Sequence, residues 1–506
     1  MNRFGRQLVT NILSSWGSYA GRILIAFFFI PYITMKLGES RYGAWVILFQ
    51  IVNYLSLLDF GLERALTRYL SKYVAADDFP NVNRLIGVTT RIYFGLGALV
   101  VTGSVLLSIY AIPLFGIESA ELLADARTAL IVIGLFSAFR FWLLPIGGSL
   151  HSYQRADIGN LFALIEELAR ALILTYLLWQ GYGLTALALG ILGLSVARQV
   201  GSALWLKLKF PRLKFGLKGK ADELKGKLFH YSRYSFGITL GNLILYGSDS
   251  VILGLMLTAG AAGIYAPAAQ LLLYVRQIVN AAATVITPAI SRLEQIGDWE
   301  KIRALYLMSV KFSLYLSVTA AVGIGVFGRS FVSLWLEPAF QEAGDVMFIL
   351  AFGSIFFIPQ IIGNAILFAI EKHRYLFHLT LIESLVKLAL SIFLIREWGL
   401  IGLAWGTTIP QLLFYTLIYP PLMKRLLGLH SGQILGEIVR PLMSGGVILL
   451  PIALLIDWLL PVRGWQTFII DALVVAGISA LLIRLAVNDR DRQVYRDLNR
   501  QVLSPH

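Results

Sequence analysis

Three arginines, Arg22, Arg140 and Arg276, lie deep in apolar stretches of this chain and have no acidic residue close by in sequence. A guanidinium group keeps its charge at any physiological pH and binds phosphate oxygens in pairs. Facing lipid at the centre of a helix, each would cost about 2.5–3.5 kcal/mol. We therefore predict that they line a wet cavity for an anion such as a pyrophosphate, with Gln277 and Asn280 beside Arg276.

Two acid–base pairs have the spacing of one helical turn. Glu166 precedes Arg170 by four residues, and Glu383 precedes Lys387 by four, so each pair can close within its own helix. The pairs are interpreted either as structural or as parts of a cavity in which they take part in coupling or gating.

Asp249 is the matching deep acid without a nearby base. It ends a stripe of polar residues at steps of three and four, and Arg22 ends a similar stripe; such a face indicates a partner helix or a water-filled cavity. Asp249 is predicted to act in coupling or gating, either by binding a coupling ion, Na+ or H+, or by pairing with an arginine such as Arg22. Apart from such an ion, no cofactor and no metal site is predicted. The stripes comprise Asn11, Ser15 and Ser18 before Arg22, and Ser235, Thr239, Asn242 and Tyr246 before Asp249.

Four further basic residues within apolar stretches are predicted to reach the membrane surface with their charged ends. They are Arg91, Arg198, Lys311 and Arg484.

The composition identifies an integral membrane protein. Of the 506 residues, 57% are hydrophobic and 14% charged, and the mean hydropathy is +0.73. About fourteen apolar segments are long enough to cross a bilayer as helices, which predicts an all-α polytopic fold. The net charge of +14 is concentrated in alternate loops, which places both termini in the cytoplasm and indicates anionic lipids, not nucleic acid, as partners.

The two halves of the chain resemble each other at an offset of 216 or 217 residues. Glu166 and Arg170 correspond to Glu383 and Lys387, and Gly183 corresponds to Gly399. Two sets of six spans with the same orientation predict a parallel repeat, as found in alternating-access transporters. The predicted domains are a six-helix bundle at 1–206, a basic cytoplasmic loop at 207–232, a second bundle at 233–423, and two extra spans with a tail at 424–506.

A basic ridge follows the second apolar segment, within residues 59–73. Arg64, Arg68 and Lys72 lie at steps of four, so they share one face of an amphipathic helix at the membrane boundary. The ridge is interpreted as a topology anchor or as the cytoplasmic entrance for an anionic lipid.

The motifs of soluble enzymes are missing from the sequence. No Walker A or H-E-x-x-H sequence occurs, and the G-x-G-x-x-G pattern at residues 323–328 follows an apolar span in place of a strand. The chain also has no cysteine, which excludes disulfides and thiolate catalysis. We predict a transporter, not an enzyme.

Three short motifs resemble the polysaccharide-transporter branch of the MATE-like flippase superfamily, which includes Wzx-type O-antigen flippases. They are LGESRYG at residues 37–43, LDFGL at 58–62 followed by Arg68 and Tyr69, and AGIYA at 262–266.

The resemblance implies two six-helix bundles around a cationic cavity, in a protein of the bacterial inner membrane. It implies flipping of undecaprenyl-pyrophosphate-linked oligosaccharide, an O-antigen or exopolysaccharide repeat unit, with a polysaccharide polymerase and glycosyltransferases as partners. A multidrug or organic-cation exporter of the same superfamily is the alternative, and a scaffold for polysaccharide enzymes is a third reading.

Overall fold

The computed structural model shows a single chain that folds into long helices. The structure describes residues 3–117, 119–153, 155–213, 222–489, 491–494 and 496, and these contain helices and turns without a strand. The predicted all-α polytopic fold is confirmed.

The chain divides into two compact units, of which the first covers Gln7–Gly263 and the second begins at Ile264. The helices of the first unit are α1 (Arg3–Leu55), α2 (Leu62–Ala75), α3 (Phe79–Tyr110), α4 (Ala120–Gly147), α5 (Ala156–Trp179), α6 (Leu184–Lys209) and α7 (Asp222–Met256).

The second unit starts within the first turns of α8 and contains the remaining helices. They are α8 (Ala259–Gln295), α9 (Trp299–Trp335), α10 (Ala343–Ala369), α11 (His373–Leu413), α12 (Tyr419–Leu427), α13 (Ser431–Met443), α14 (Leu450–Leu459) and α15 (Trp465–Ala486).

Ten helical stretches in the described part of the chain are long and apolar enough to cross a membrane. Two of them contain a glycine with a left-handed backbone, Gly38 (φ 69°) in α1 and Gly399 (φ 55°) in α11. A residue without a Cβ adopts this conformation at little cost, so each of these two helices is kinked into two segments. The total of fourteen spans stays a prediction.

The domain boundaries stay predictions as well. Helix α7, which the sequence assigns to the second bundle, belongs to the first compact unit. Within the predicted basic loop, residues 214–221 lie outside the described part of the chain.

Two of the family-like motifs meet where α1 crosses the start of α8. A Cβ atom on Gly43 would lie 1.7 Å from the carbonyl oxygen of Ala259, and one on Gly263 would lie 2.3 Å from the carbonyl oxygen of Glu39. The two backbones are therefore in direct contact, as small residues allow between membrane helices. LGESRYG and AGIYA thus contribute to the fold through one close crossing.

The third motif forms the turn that leads into α2. Phe60 (φ 50°) and Gly61 (φ 75°) are both left-handed, which reverses the chain sharply after α1 and its short 3-10 extension. Asp59 accepts a hydrogen bond from the backbone N–H of Glu63 at 3.2 Å and so stabilises the start of α2. Leu62, Ala65, Leu66 and Leu70 of α2 are buried, which confirms that this helix is amphipathic.

We predict that Gly43→Ala destabilises the protein, because the added methyl group collides with backbone atoms that no side-chain rotation can move. The expected loss is about 2 kcal/mol or more, measured as a lower unfolding temperature of the purified protein. Gly17→Ala is the matched control in the same helix, since a Cβ there meets nothing within 4 Å. Equal unfolding temperatures for the two variants would contradict the close crossing.

Candidate functional site

A cavity of about 390 Å³ lies within the first unit, between α1, α4, α5 and α6. We call it the arginine cavity, because arginines supply most of its charge. Its polar and charged lining residues are Arg22, Asn53, Ser56, Ser137, Arg140, Glu166, Glu167, Arg170, Ser195, Arg198 and Gln199.

Glu166 is the central acid of the arginine cavity. Its Oε1 lies 3.1 Å from Nη2 of Arg170, which confirms the predicted intrahelical pair, and its Oε2 lies 2.5 Å from Nε of Arg198. The hydroxyl of Ser195 donates a further hydrogen bond to Oε1. The side chain of Glu166 is only 7% exposed. One carboxylate thus holds two arginines from two helices, while Glu167 lies 3.5 Å from the other side of Arg170.

The cavity carries an excess of positive charge. Four arginines face two glutamates, and Arg140, Arg170 and Arg22 all lie close enough to Arg198 to repel it. In the part of the chain that the structure describes, no carboxylate lies within ion-pair distance of Arg140, which is exposed. Such a site attracts an anion, and the guanidinium groups suit phosphate oxygens.

A second, smaller cavity of about 220 Å³ adjoins the first, and we call it the connecting cavity. Ser56, Arg140 and Phe141 line both cavities. Arg64 of the predicted entrance ridge also lines the connecting cavity, and Arg68 and Lys72 are exposed on α2. Arg64 and Arg140 therefore form part of the same wall.

Two acids line the connecting cavity, the exposed Glu63 and the half-buried Asp59. The hydroxyl of Tyr93 donates a hydrogen bond to Oδ1 of Asp59 at 2.5 Å. Oδ2 of Asp59 accepts the hydrogen bond from the backbone N–H of Glu63 at the start of α2. Both carboxylate oxygens of Asp59 are therefore used in hydrogen bonds within the fold. Arg140 stays available to a ligand.

Other predicted site residues lie elsewhere. Asp249 is buried in α7 and does not line the arginine cavity. Arg276, Gln277 and Asn280 belong to the second unit, where the guanidinium of Arg276 lies 5.6 Å from the ring centre of Phe357. Their roles in binding or coupling stay predictions. The side chains of Asn11, Ser15, Ser18 and Ser235, predicted to form polar stripes, lie outside the described part of the chain.

Glu383 and Lys387 are both buried in α11, at 3% and 1% exposure. The hydroxyl of Tyr415 donates to Oε2 of Glu383 at 2.7 Å. The coupling or gating role of this pair stays a prediction.

Two of the residues predicted to reach the membrane surface are placed differently. Arg198 was missed as a cavity residue because its partner, Glu166, lies on a different helix. Lys311 is fully buried, with its Nζ 2.5 Å from Asp491 and 3.4 Å from Glu437. The prediction for both is wrong because distant acids satisfy these charges inside the protein. Arg91 and Arg484 are exposed.

Comparisons with known proteins agree with one another. Residues 8–294 match a family described as "Polysaccharide biosynthesis protein", and residues 171–473 match one described as "Lipid II flippase MurJ". An uncharacterized membrane protein of Bacillus subtilis, EpsK, is 22% identical over 93% of this chain and 94% of its own length. A putative O-antigen transporter of Shigella flexneri is 21% identical, over 80% of this chain and 95% of that protein.

The solved structure of the lipid II flippase MurJ, in an inward closed conformation, has the same fold. It superposes with a TM-score of 0.73 at 17% identity and covers 97% of this chain and 99% of that one. At this level of identity the likeness concerns the fold alone.

We predict that Glu166→Gln lowers stability by about 1–3 kcal/mol, because it leaves Arg170 and Arg198 facing each other without their shared carboxylate. The check is the unfolding temperature of the purified protein. Glu121→Gln is the control, since Glu121 is 86% exposed and its pair with Arg41 is long at 3.7 Å. If both variants unfold at the same temperature, Glu166 does not hold the arginines together.

Proposed function

The chain belongs to the polysaccharide biosynthesis protein family, and on that premise we propose that it is a flippase for lipid-linked oligosaccharide. The substrate is an undecaprenyl-pyrophosphate-linked repeat unit of O-antigen or exopolysaccharide, which the protein moves across the bacterial inner membrane. Membrane lipids surround it, and a polymerase and glycosyltransferases act on the same repeat unit. The relatives are described as flippases and transporters, in keeping with transport without catalysis.

The observation that carries this proposal is the arginine cavity. A bundle of otherwise apolar helices encloses four arginines and two glutamates, a net charge that suits a group with two or more negative charges. A pyrophosphate is such a group, and its oxygens can engage several guanidinium forks at once. An oligosaccharide can use the neutral polar groups of the same wall, Asn53, Ser137 and Gln199.

Arg140 is the arginine that we assign to the first contact with the pyrophosphate. It lines both the arginine cavity and the connecting cavity, where Arg64 continues the basic wall toward the exposed face of α2. With both termini in the cytoplasm, that face lies at the cytoplasmic surface, where the lipid-linked substrate is assembled. Arg64, Arg68 and Lys72 then gather the headgroup before it reaches the cavity.

Alternating access then exposes the site to the other side of the membrane. We assign the coupling of this change to the acids predicted for it, Asp249 and the pairs at Glu166 and Glu383. Na+ and H+ are the two candidate coupling ions.

The excess of positive charge in the cavity disfavours the alternative of an organic-cation exporter. A cation would be repelled by four arginines, and the two glutamates are close to arginines already. A cation site in this unit would need a free carboxylate facing the cavity.

We predict that Arg140→Gln weakens binding of undecaprenyl diphosphate by about 10- to 100-fold, because it removes a charge-assisted hydrogen-bond donor. Binding is measured with the purified protein in nanodiscs. Transport of a fluorescent lipid-linked oligosaccharide in proteoliposomes, followed by a membrane-impermeant quencher, falls with it.

Arg484→Gln is the matched control, because Arg484 is exposed on α15 and lines neither cavity. If the Arg140→Gln variant binds and transports at the level of the wild-type protein, this cavity is not the substrate site. If the wild-type protein exports a cationic dye and does not bind undecaprenyl diphosphate, the proposed function is wrong and the protein is an organic-cation exporter.

A further inference from the structure

An apolar groove of about 510 Å³ runs along the first unit on the opposite side of α1 from the arginine cavity. Its walls come from α1, from α3 with the turn that follows it, and from α7. The wall from α1 includes Ile51, Tyr54 and Leu58, the wall from α3 includes Leu107, and the wall from α7 includes Val251 and Leu255.

The last turns of α1 and its short 3-10 extension form a partition between two chemically different spaces. Phe49, Val52, Asn53 and Ser56 line the arginine cavity, whereas Ile51, Tyr54, Leu55 and Leu58 line the groove. Both sets have the steps of three and one that mark opposite faces of one helix. A polar cavity and an apolar groove thus lie back to back.

The two spaces border on the same connecting cavity around the end of α1. Leu57 and Phe236 line both the groove and the connecting cavity, and Arg140 lines both the connecting cavity and the arginine cavity. The turn at Phe60 and Gly61 ends the partition here, and the ring of Phe60 lies 5.3 Å from that of Phe236. The connecting cavity thus adjoins both the groove and the arginine cavity within a single unit.

The groove has the length and openness that a hydrocarbon chain requires. Its lining residues on α7, Phe236, Val251 and Leu255, are spread over nineteen residue steps, or about 28 Å of helix, close to the ~30 Å hydrocarbon thickness of a bilayer. Phe60 and Leu255 are 40% and 47% exposed, so the groove is open along its side. Its wall is almost wholly hydrocarbon, and the hydroxyl of Tyr54 is its main polar group.

We infer that this groove holds the polyprenyl chain of the same lipid whose diphosphate occupies the arginine cavity. This inference rests on the proposed function and adds a second subsite to it. The polyprenyl chain lies on the groove side of α1, and the diphosphate headgroup lies on the side of the arginine cavity. The link between them passes through the connecting cavity, which Arg140 lines. The protein thereby keeps the chain in an apolar environment while the charged headgroup leaves the membrane surface.

The test compares two lipids with the same headgroup and different chains, undecaprenyl diphosphate and farnesyl diphosphate, in competition at equal mole fractions in one nanodisc. The wild-type protein is expected to prefer the longer chain by about tenfold or more, since each buried methylene group adds to binding. Leu107→Trp, which fills the groove, is expected to remove most of that preference and leave binding of farnesyl diphosphate unchanged.

Leu172→Trp is the matched control, because Leu172 is 72% exposed on α5 and lines none of the three spaces. Leu107→Ala covers the case in which tryptophan prevents folding. It adds no bulk, and it is expected to reduce the preference in part, while Leu172→Ala does not.

Two failures are distinguishable. If Arg140→Gln weakens binding of both lipids equally, and the changes at Leu107 leave the chain-length preference at its wild-type value, the groove is not the chain site and the proposed function stands. If the wild-type protein binds neither diphosphate, the proposed function fails and the groove assignment fails with it.

Discussion

The carboxylate of Glu166 is the contact on which the charged interior of the first unit depends. Arginine at the centre of an apolar bundle is costly unless its charge is compensated, and Glu166 compensates Arg170 and Arg198 together. The compensation is incomplete, because the cavity contains two more arginines than glutamates. Stability and the proposed anion binding therefore depend on the same two glutamates: their charge holds the helices together, but it is too small to neutralise the four arginines.

The backbone of this unit is constrained by a few positions where a side chain would not fit or would not adopt the required conformation. Gly43 and Gly263 bring α1 and the start of α8 into contact, and the left-handed pair Phe60 and Gly61 turns the chain into α2. These positions fall in the motifs by which the family was recognised. The motifs thus reflect the requirements of the fold, whereas the charged lining of the cavity comes from residues outside them.

Helix α1 separates two spaces of different polarity in the first unit. One face of its last turns and 3-10 extension, with Asn53 and Ser56, lines a basic cavity, and the opposite face, with Ile51 and Leu58, lines an open groove. This segment therefore separates two environments of different polarity. Beside the turn at its end, the connecting cavity adjoins both of them. In the proposed flippase, this arrangement lets one lipid occupy both environments without exposing its chain to water.

The sequence by itself determined the membrane class, the helical fold, the family and the Glu166–Arg170 pair. All of these follow from local composition, short motifs or a four-residue spacing. It also pointed to Arg22 and Arg140, which both line the arginine cavity, because an isolated arginine in an apolar run is visible without a structure. Only the tertiary structure decided that Arg198 shares Glu166, that Lys311 is buried between Asp491 and Glu437, and that a groove lies behind the cavity. The physical reason is that the cost of a buried charge depends on partners brought from distant helices, which no sequence spacing encodes.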